Sequence, residues 1–214
     1  VQEGLLMNNL TVFCAFLCSS LLPFAVLADV DVGPKYQPCA ACHGDAAQGS
    51  VALGAPALAG QNSDYLQRQL QHFKAGVRGA DPRDMRGGQM TAMAGTLSDA
   101  DIVLVADYLS ELPVTALASP MTGDLKNGSN YYHSKCGACH GGEAQGNRAL
   151  RSPMLAALDA PYLKTQYLNF QQGIRGTHPD DTYGRQMKMM STTLPTDKDL
   201  DDVIAYIQSM SSAP

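Results

Sequence analysis

Apolar and polar positions along the chain form one uncharged stretch followed by two matching sets of helical stripes. Leu10 to Ala28 reads LTVFCAFLCSSLLPFAVLA, with no charged residue. Beyond it, Leu66, Leu70 and Phe73 recur at the spacing of one helix face, and Leu163, Tyr167 and Phe170 repeat that stripe. Gly76 and Gly173 follow as natural C-terminal stops. A further helix is predicted in each half after a capping sequence, Ser98-Asp99-Ala100-Asp101 in the first and Thr196-Asp197-Lys198-Asp199 in the second. These helices carry Ile102, Val105 and Leu109, and Leu200, Val203 and Ile207, each set on one face. Gly-rich loops between the helices allow close wrapping of a flat cofactor.

The two sets are copies. His43 and His140 stand 97 positions apart. The same offset relates Gln48-Gly49 to Gln145-Gly146, Pro56 to Pro153, Leu58 to Leu155 and Tyr65-Leu66 to Tyr162-Leu163. It continues through Gly76-Val77-Arg78-Gly79 and Gly173-Ile174-Arg175-Gly176, Gln89-Met90 and Gln186-Met187, and Met93 and Met190. One residue is inserted after Leu97/Leu194, so that Tyr108 matches Tyr206. A tandem repeat accounts for this pattern. It predicts an all-α chain of two small helical domains, at 29–112 and 125–214. The linker at 113–124 is rich in Pro, Ser, Thr and Gly.

Residues 1–28 read as a secretory signal peptide, with Met7 as a start and small residues around Val26-Leu27-Ala28 as the cleavage site. No Lys or Arg precedes Lys35, and 19 apolar or small residues are also enough for a retained membrane anchor. Pro23 and the Ala28 boundary favour cleavage, hence an exported, periplasmic protein. Membrane association is expected only if the leader is retained. The net charge is −5; the first copy, from Asp29 to Ser119, has six basic and ten acidic residues, and the remainder has nine of each. A nucleic-acid binder needs a basic face, which this balance does not provide. With no Trp and only five Phe, two small domains need a staple or a cofactor to complete their cores.

The six cysteines fall into pairs. Cys14 and Cys18 are apolar fillers of the leader. The others form Cys39-Ala40-Ala41-Cys42-His43 and Cys136-Gly137-Ala138-Cys139-His140, both C-x-x-C-H. Two thiols on one helical turn can add to the two vinyl groups of one haem, and the next His then lies under the iron. A redox disulfide or a zinc knuckle explains a lone pair of cysteines, but not a His directly after both pairs. Two covalently bound haem c groups are therefore predicted.

The distal ligand decides between carrier and enzyme. No cysteine remains for it, and His72, His133 and His178 have no histidine at the matching position of the other copy. Methionine is repeated twice, at Met90/Met187 and Met93/Met190. One pair can ligate while the other packs nearby, and the repeat alone does not choose.

The run C-x-x-C-H-G, a short Pro-Leu segment, Q-M-x-x-M-x-x-x-Leu and a final helix with Tyr resembles the cytochrome c4 family of dihaem cytochromes, over both halves. The resemblance implies two class I cytochrome c domains related by pseudo-two-fold symmetry. It implies that the ligand is the methionine seven residues before the Leu that opens the last helix, giving His43/Met90 and His140/Met187. It further implies that Pro56 and Pro153 offer carbonyls to the haem histidines, with Arg78 and Arg175 as candidate propionate partners. The implied role is single-electron transfer between redox proteins, a quinol-oxidising complex upstream and a terminal oxidase or reductase downstream, with no catalytic residues. The rivals are a haem subunit of a larger oxidoreductase and a dihaem peroxidase or thiosulfate-oxidising cytochrome, which need an open iron. Family domains begin with a helix ahead of C-x-x-C-H. Lys126 to Ser134 can supply it in copy two, whereas Pro34 and Pro38 stand against it in copy one.

Overall fold

Among the described residues, four helices build the first half: α1 (Gly33–His43), α2 (Ser63–Lys74), α3 (Met85–Ala94) and α4 (Asp99–Glu111). The second half repeats them as α5 (Leu125–Tyr131), which continues through a π-helical turn (Tyr132–Cys136) into α6 (Gly137–His140), then α7 (Ala160–Gln171), α8 (Thr182–Met190) and α9 (Asp197–Ser211). The structure is a computed structural model and describes residues 33–115 and 121–211. The leader and part of the linker lie outside these residues. Among the described residues there are no strands, only isolated bridges at matching places, Ser50 with Ala55 and Asn147 with Ser152. No described helix is long and apolar enough to cross a membrane.

The predicted local signals act as expected. Ser98 and Asp101 exchange hydrogen bonds as a capping box at the start of α4. At α9, the Asp199 N–H donates to Thr196 Oγ1 (3.2 Å) and the Thr196 N–H to Asp199 Oδ2 (3.1 Å). Leu97 and Leu194, read as opening the last helices, instead lie just ahead of them. Each half has its own core: Tyr36, Leu66, Val105 and Leu109 in the first, and Tyr132, Leu163, Leu200, Val203 and Ile207 in the second. Leu70 and Tyr167 are only half-buried, so the stripes of α2 and α7 are narrower than periodicity suggested.

The expectation against a first helix in copy one is corrected. Pro34 falls in the first turn, where no backbone N–H is needed, and Pro38 is carried inside α1 on its exposed side. An interior proline costs about 3 kcal/mol, which tertiary contacts must offset. Tyr36 supplies them: it is 4% exposed, its ring lies 5.8 Å from that of Tyr108 on α4, and its hydroxyl donates to the Gly44 carbonyl at 2.6 Å. Lys35 adds an ion pair to Asp101 at 2.9 Å. The packing of α1 on α4 is therefore present.

Copy two reaches the same arrangement with one more residue. Tyr132 also donates its hydroxyl to the carbonyl after the histidine, that of Gly141, at 2.5 Å. Three positions separate Tyr36 from Cys39, but four separate Tyr132 from Cys136. The π turn absorbs the extra residue and keeps tyrosine and cysteine in register with their partners.

At the crossing of α5 and α9, Asp202 is 1% exposed and accepts from Lys198 Nζ (2.6 Å), Asn127 Nδ2 (2.8 Å) and the Asp124 N–H (2.8 Å). These donors, Lys198 first, hold its carboxyl below its ordinary 3.8, at about 2. A carboxyl depressed on folding stabilises the native state above its unfolded value and loses that effect as pH falls through its folded value. Asp202→Asn is accordingly expected to lower the urea midpoint at neutral pH, with the difference from wild type vanishing between 3.8 and about 2.

Where the halves meet, contacts are reciprocal. Arg78 donates to Gln69 (2.7 Å) in its own half and to Gln166 (3.0 Å) across; Arg175 donates to Gln166 (2.6 Å) in its own half and to Gln69 (3.2 Å) across. Gln69 and Gln166, like the two arginines, occupy matching repeat positions, so the exchange has the form of a two-fold contact.

Candidate haem sites

Both C-x-x-C-H segments end a helix, α1 in the first half and α6 in the second. Helical geometry turns the two cysteines of each motif to one side and carries the histidine inward. His43 and His140 are 5% and 6% exposed, while Cys42 and Cys139 remain exposed and Cys39 and Cys136 are half-buried. Each histidine is held from behind: His43 Nδ1 lies 2.8 Å from the Pro56 carbonyl and His140 Nδ1 2.9 Å from that of Pro153. A carbonyl can only accept, so Nδ1 carries the proton and Nε2 is left as the free donor atom for a metal. Burial pushes both imidazoles below the usual histidine range, against the opposing effect of these hydrogen bonds, which keeps them neutral as ligands.

The inner thiol of each motif is shifted away from thiolate reactivity. Burial, and then the neighbouring Cys139, push the Cys136 thiol up to about 11, and burial with Cys42 raises Cys39. A thiol–disulfide catalyst needs the opposite shift.

In the second half a cavity of about 1370 Å3, including its open mouth, brings together Cys136, Cys139, His140, Met187 and Met190, and Leu155, Leu163 and Phe170 help to line it. Both repeated methionines reach this cavity. Met187 is half-buried, however, whereas Met190 is 36% exposed; in the first half Met90 is half-buried and Met93 is 40% exposed. Helices α3 and α8 are set by their N-caps, Asp84 accepting from the Gly87 N–H (2.9 Å) and Asp181 from the Gly184 N–H (2.8 Å). The loop before each helix lies on its first turn, so closely that a Cβ on Gly79 would meet the Gly87 carbonyl oxygen at 2.4 Å, and one on Gly176 that of Gly184 at 2.3 Å. This contact fixes Met90 and Met187, one turn further along, relative to the arginine loops.

Arg78 and Arg175 are 9% and 7% exposed and stack over Phe73 and Phe170 at 4.4 and 4.3 Å. Among the described residues their Nε atoms have no partner, and the hydrogen bonds they make are to amides and a tyrosine hydroxyl, not to a carboxylate. Burial and the adjacent Arg78 push the Arg175 guanidinium below its usual value. Asp84 acts on Arg78 and Asp181 on Arg175 only at longer range, so two buried cations without a hydrogen-bonded carboxylate leave a place for negative charge from outside the polypeptide. Haem carries two propionates and a flat apolar ring, so the vinyl-reactive cysteines, the histidine, the apolar lining and the guanidiniums with their free Nε–H groups all fit that group.

The cytochrome c family model matches residues 36–113 and 125–211, once for each half. Cytochrome c4 of Azotobacter vinelandii is 30% identical over 187 residues, which cover 82% of this chain and 86% of that protein. The chain belongs to the cytochrome c4 family of dihaem cytochromes. It carries two covalent haem c groups and transfers electrons. The crystal structure of reduced recombinant cytochrome c4 from Pseudomonas stutzeri superposes with a TM-score of 0.68 at 30% identity, covering 83% of this chain and 95% of that one. The thiosulfate dehydrogenase electron acceptor of Stutzerimonas stutzeri (strain A1501) is 32% identical over 168 residues, 74% of each chain.

The spare histidines stand apart from the cavity lining. His133 Nε2 lies 3.0 Å from the Tyr206 hydroxyl, and His178 Nδ1 accepts from the Asp180 N–H at 3.2 Å. His72, half-buried, has Nδ1 3.7 Å from Asp181 Oδ1 across the interface. Sequence reading missed Tyr36 and Tyr132, whose offset of 96 departs from the repeat. It also missed Gln61, 2% exposed, whose partner lies in the other half.

Proposed function

We propose that the cytochrome is a periplasmic single-electron carrier rather than an enzyme, with His43 and Met90 holding one iron and His140 and Met187 the other. The half-buried state of Met90 and Met187, beside the exposed Met93 and Met190, supports this assignment. Domains at 29–112 and 125–214, joined by 113–124, follow from the same reading. When bound, each haem supplies a one-electron couple, raised by its thioether ligand. Cys39, Cys42, Cys136 and Cys139 tether the groups. The Pro56 and Pro153 carbonyls orient the imidazoles, and Arg78 and Arg175 neutralise propionates at the interface. This ligand set leaves neither iron an open position, which separates the chain from dihaem peroxidases.

The partners in this reading are a quinol-oxidising complex upstream and a terminal oxidase or reductase downstream. A second reading, the dedicated electron acceptor of a dehydrogenase, is favoured by the relative named for thiosulfate dehydrogenase. Protein-film voltammetry tests the carrier assignment. Two reversible one-electron waves, unchanged by hydrogen peroxide or thiosulfate, are expected. A catalytic current with either substrate makes the chain an enzyme.

A further inference from the structure

The Pro153–Met154 peptide is gripped from both sides. Its carbonyl oxygen accepts from His140 Nδ1 at 2.9 Å, and its N–H donates to Gln61 Oε1 at 2.8 Å. Gln61 belongs to the other half, at the entry to α2, and its Nε2 returns a bond to the Met154 carbonyl at 2.9 Å. This two-point pairing is shielded: Gln61 is 2% and Met154 9% exposed. Among the described residues the first half has no such arrangement. His43 leans on the Pro56–Ala57 peptide in the same way, but the repeat places Leu158 where Gln61 stands, and leucine has no amide to offer.

An amide whose N–H is engaged carries more negative charge on its oxygen, because hydrogen bonds in a chain polarise one another, by about 10–30% per bond. A stronger acceptor at Nδ1–H makes the imidazole a better donor through Nε2, and a more basic ligand favours ferric iron. We propose that Gln61 is a positioning residue for the second haem, acting across the domain boundary through the Pro153–Met154 peptide to lower that haem's potential relative to the first. The two halves thereby acquire unequal potentials from near-identical ligand sets, and the inequality depends on their being docked. The inference rests on His140 being the proximal ligand.

The test is Gln61→Met, close in volume but without an amide, compared with Asn62→Ala. Asn62 Nδ2 donates to the Ser152 carbonyl at 3.2 Å, so its loss weakens the same interface without touching the Pro153–Met154 peptide. Spectroelectrochemistry, with each haem's methyl resonances assigned, is expected to show the second haem of Gln61→Met easier to reduce. Its ferric-to-ferrous ratio at fixed potential should fall about three- to tenfold, on the order of 30–60 mV at 59 mV per tenfold. The first haem should be unmoved, and Asn62→Ala should move neither. In the ferrous wild type, independently of any variant, the His140 Nδ1 proton is expected to resonate further downfield than that of His43, and to shift upfield in Gln61→Met. An unchanged second haem with both groups loaded, or an equal shift in Asn62→Ala, overturns the role of Gln61 and leaves the ligation intact. A His140 ring without ligand-type shifts in wild type overturns the ligation and the inference together.

Discussion

Met187→Ala is expected to open the second iron to carbon monoxide and to lower its potential, with the first haem unaffected. The thioether is a soft ligand that favours ferrous iron, and water cannot replace it in that respect. The expected fall is on the order of 0.1–0.3 V, a fraction of the roughly 0.8 V that axial ligands span. Met190→Ala is the matched control. Met190 lines the same cavity but is 36% exposed, so its loss should cost some packing and leave spectrum and potential nearly unchanged. Met90→Ala and Met93→Ala should reproduce the contrast in the first half. If instead the Met190 variant opens the iron, the ligand has been assigned one helical turn too early.

Arg175→Leu should be the most damaging single change at the interface. If Arg175 pairs with a propionate as proposed, the change leaves that group without its cation in the haem-loaded protein, and breaking one side of a buried ion pair typically costs about 3–5 kcal/mol. Arg175 also bridges the halves through Gln69 at 3.2 Å, while it holds Gln166 of its own half at 2.6 Å, so part of the loss should appear as weaker docking of the two domains. Thermal unfolding of the holoprotein should begin earlier and split into two transitions. Before haem is attached the sign should reverse or vanish, since the buried Arg78 and Arg175 then face each other with no hydrogen-bonded carboxylate. A holoprotein as stable as wild type would mean that the guanidinium is not a propionate partner.

These effects follow from features that differ in how openly the sequence displays them. The helices and caps were legible because their causes are local: the period of Leu66 and Phe73, the Ser98/Asp101 and Thr196/Asp199 exchanges, and the left-handed φ of 70° and 69° at Gly76 and Gly173. The repeat multiplied these signals, since a motif seen twice at one offset is hard to produce by chance. Proline misled the reading of α1, because the offsetting contacts of Tyr36 lie outside the helix, on Gly44 just past its end and on Tyr108 far along the chain. The π turn was hidden for a related reason: it matters only once the Tyr132 hydroxyl is seen on Gly141. Gln61 left no periodic or repeated mark. Its role comes from breaking the repeat, with Leu158 in the matching place, and its partner is 93 residues away. Likewise the arginines were visible as repeated residues, but their lack of a hydrogen-bonded carboxylate was not.

Ligation of both irons by methionine is the claim on which the carrier reading stands, and the wild-type protein tests it without mutation. The ferric protein should show the weak far-red sulfur-to-iron band at an intensity corresponding to two haems per chain, and the ferrous protein should bind carbon monoxide poorly at both sites. A band from only one haem, with rapid carbon monoxide binding at the other, would contradict the account and make that iron a site of chemistry.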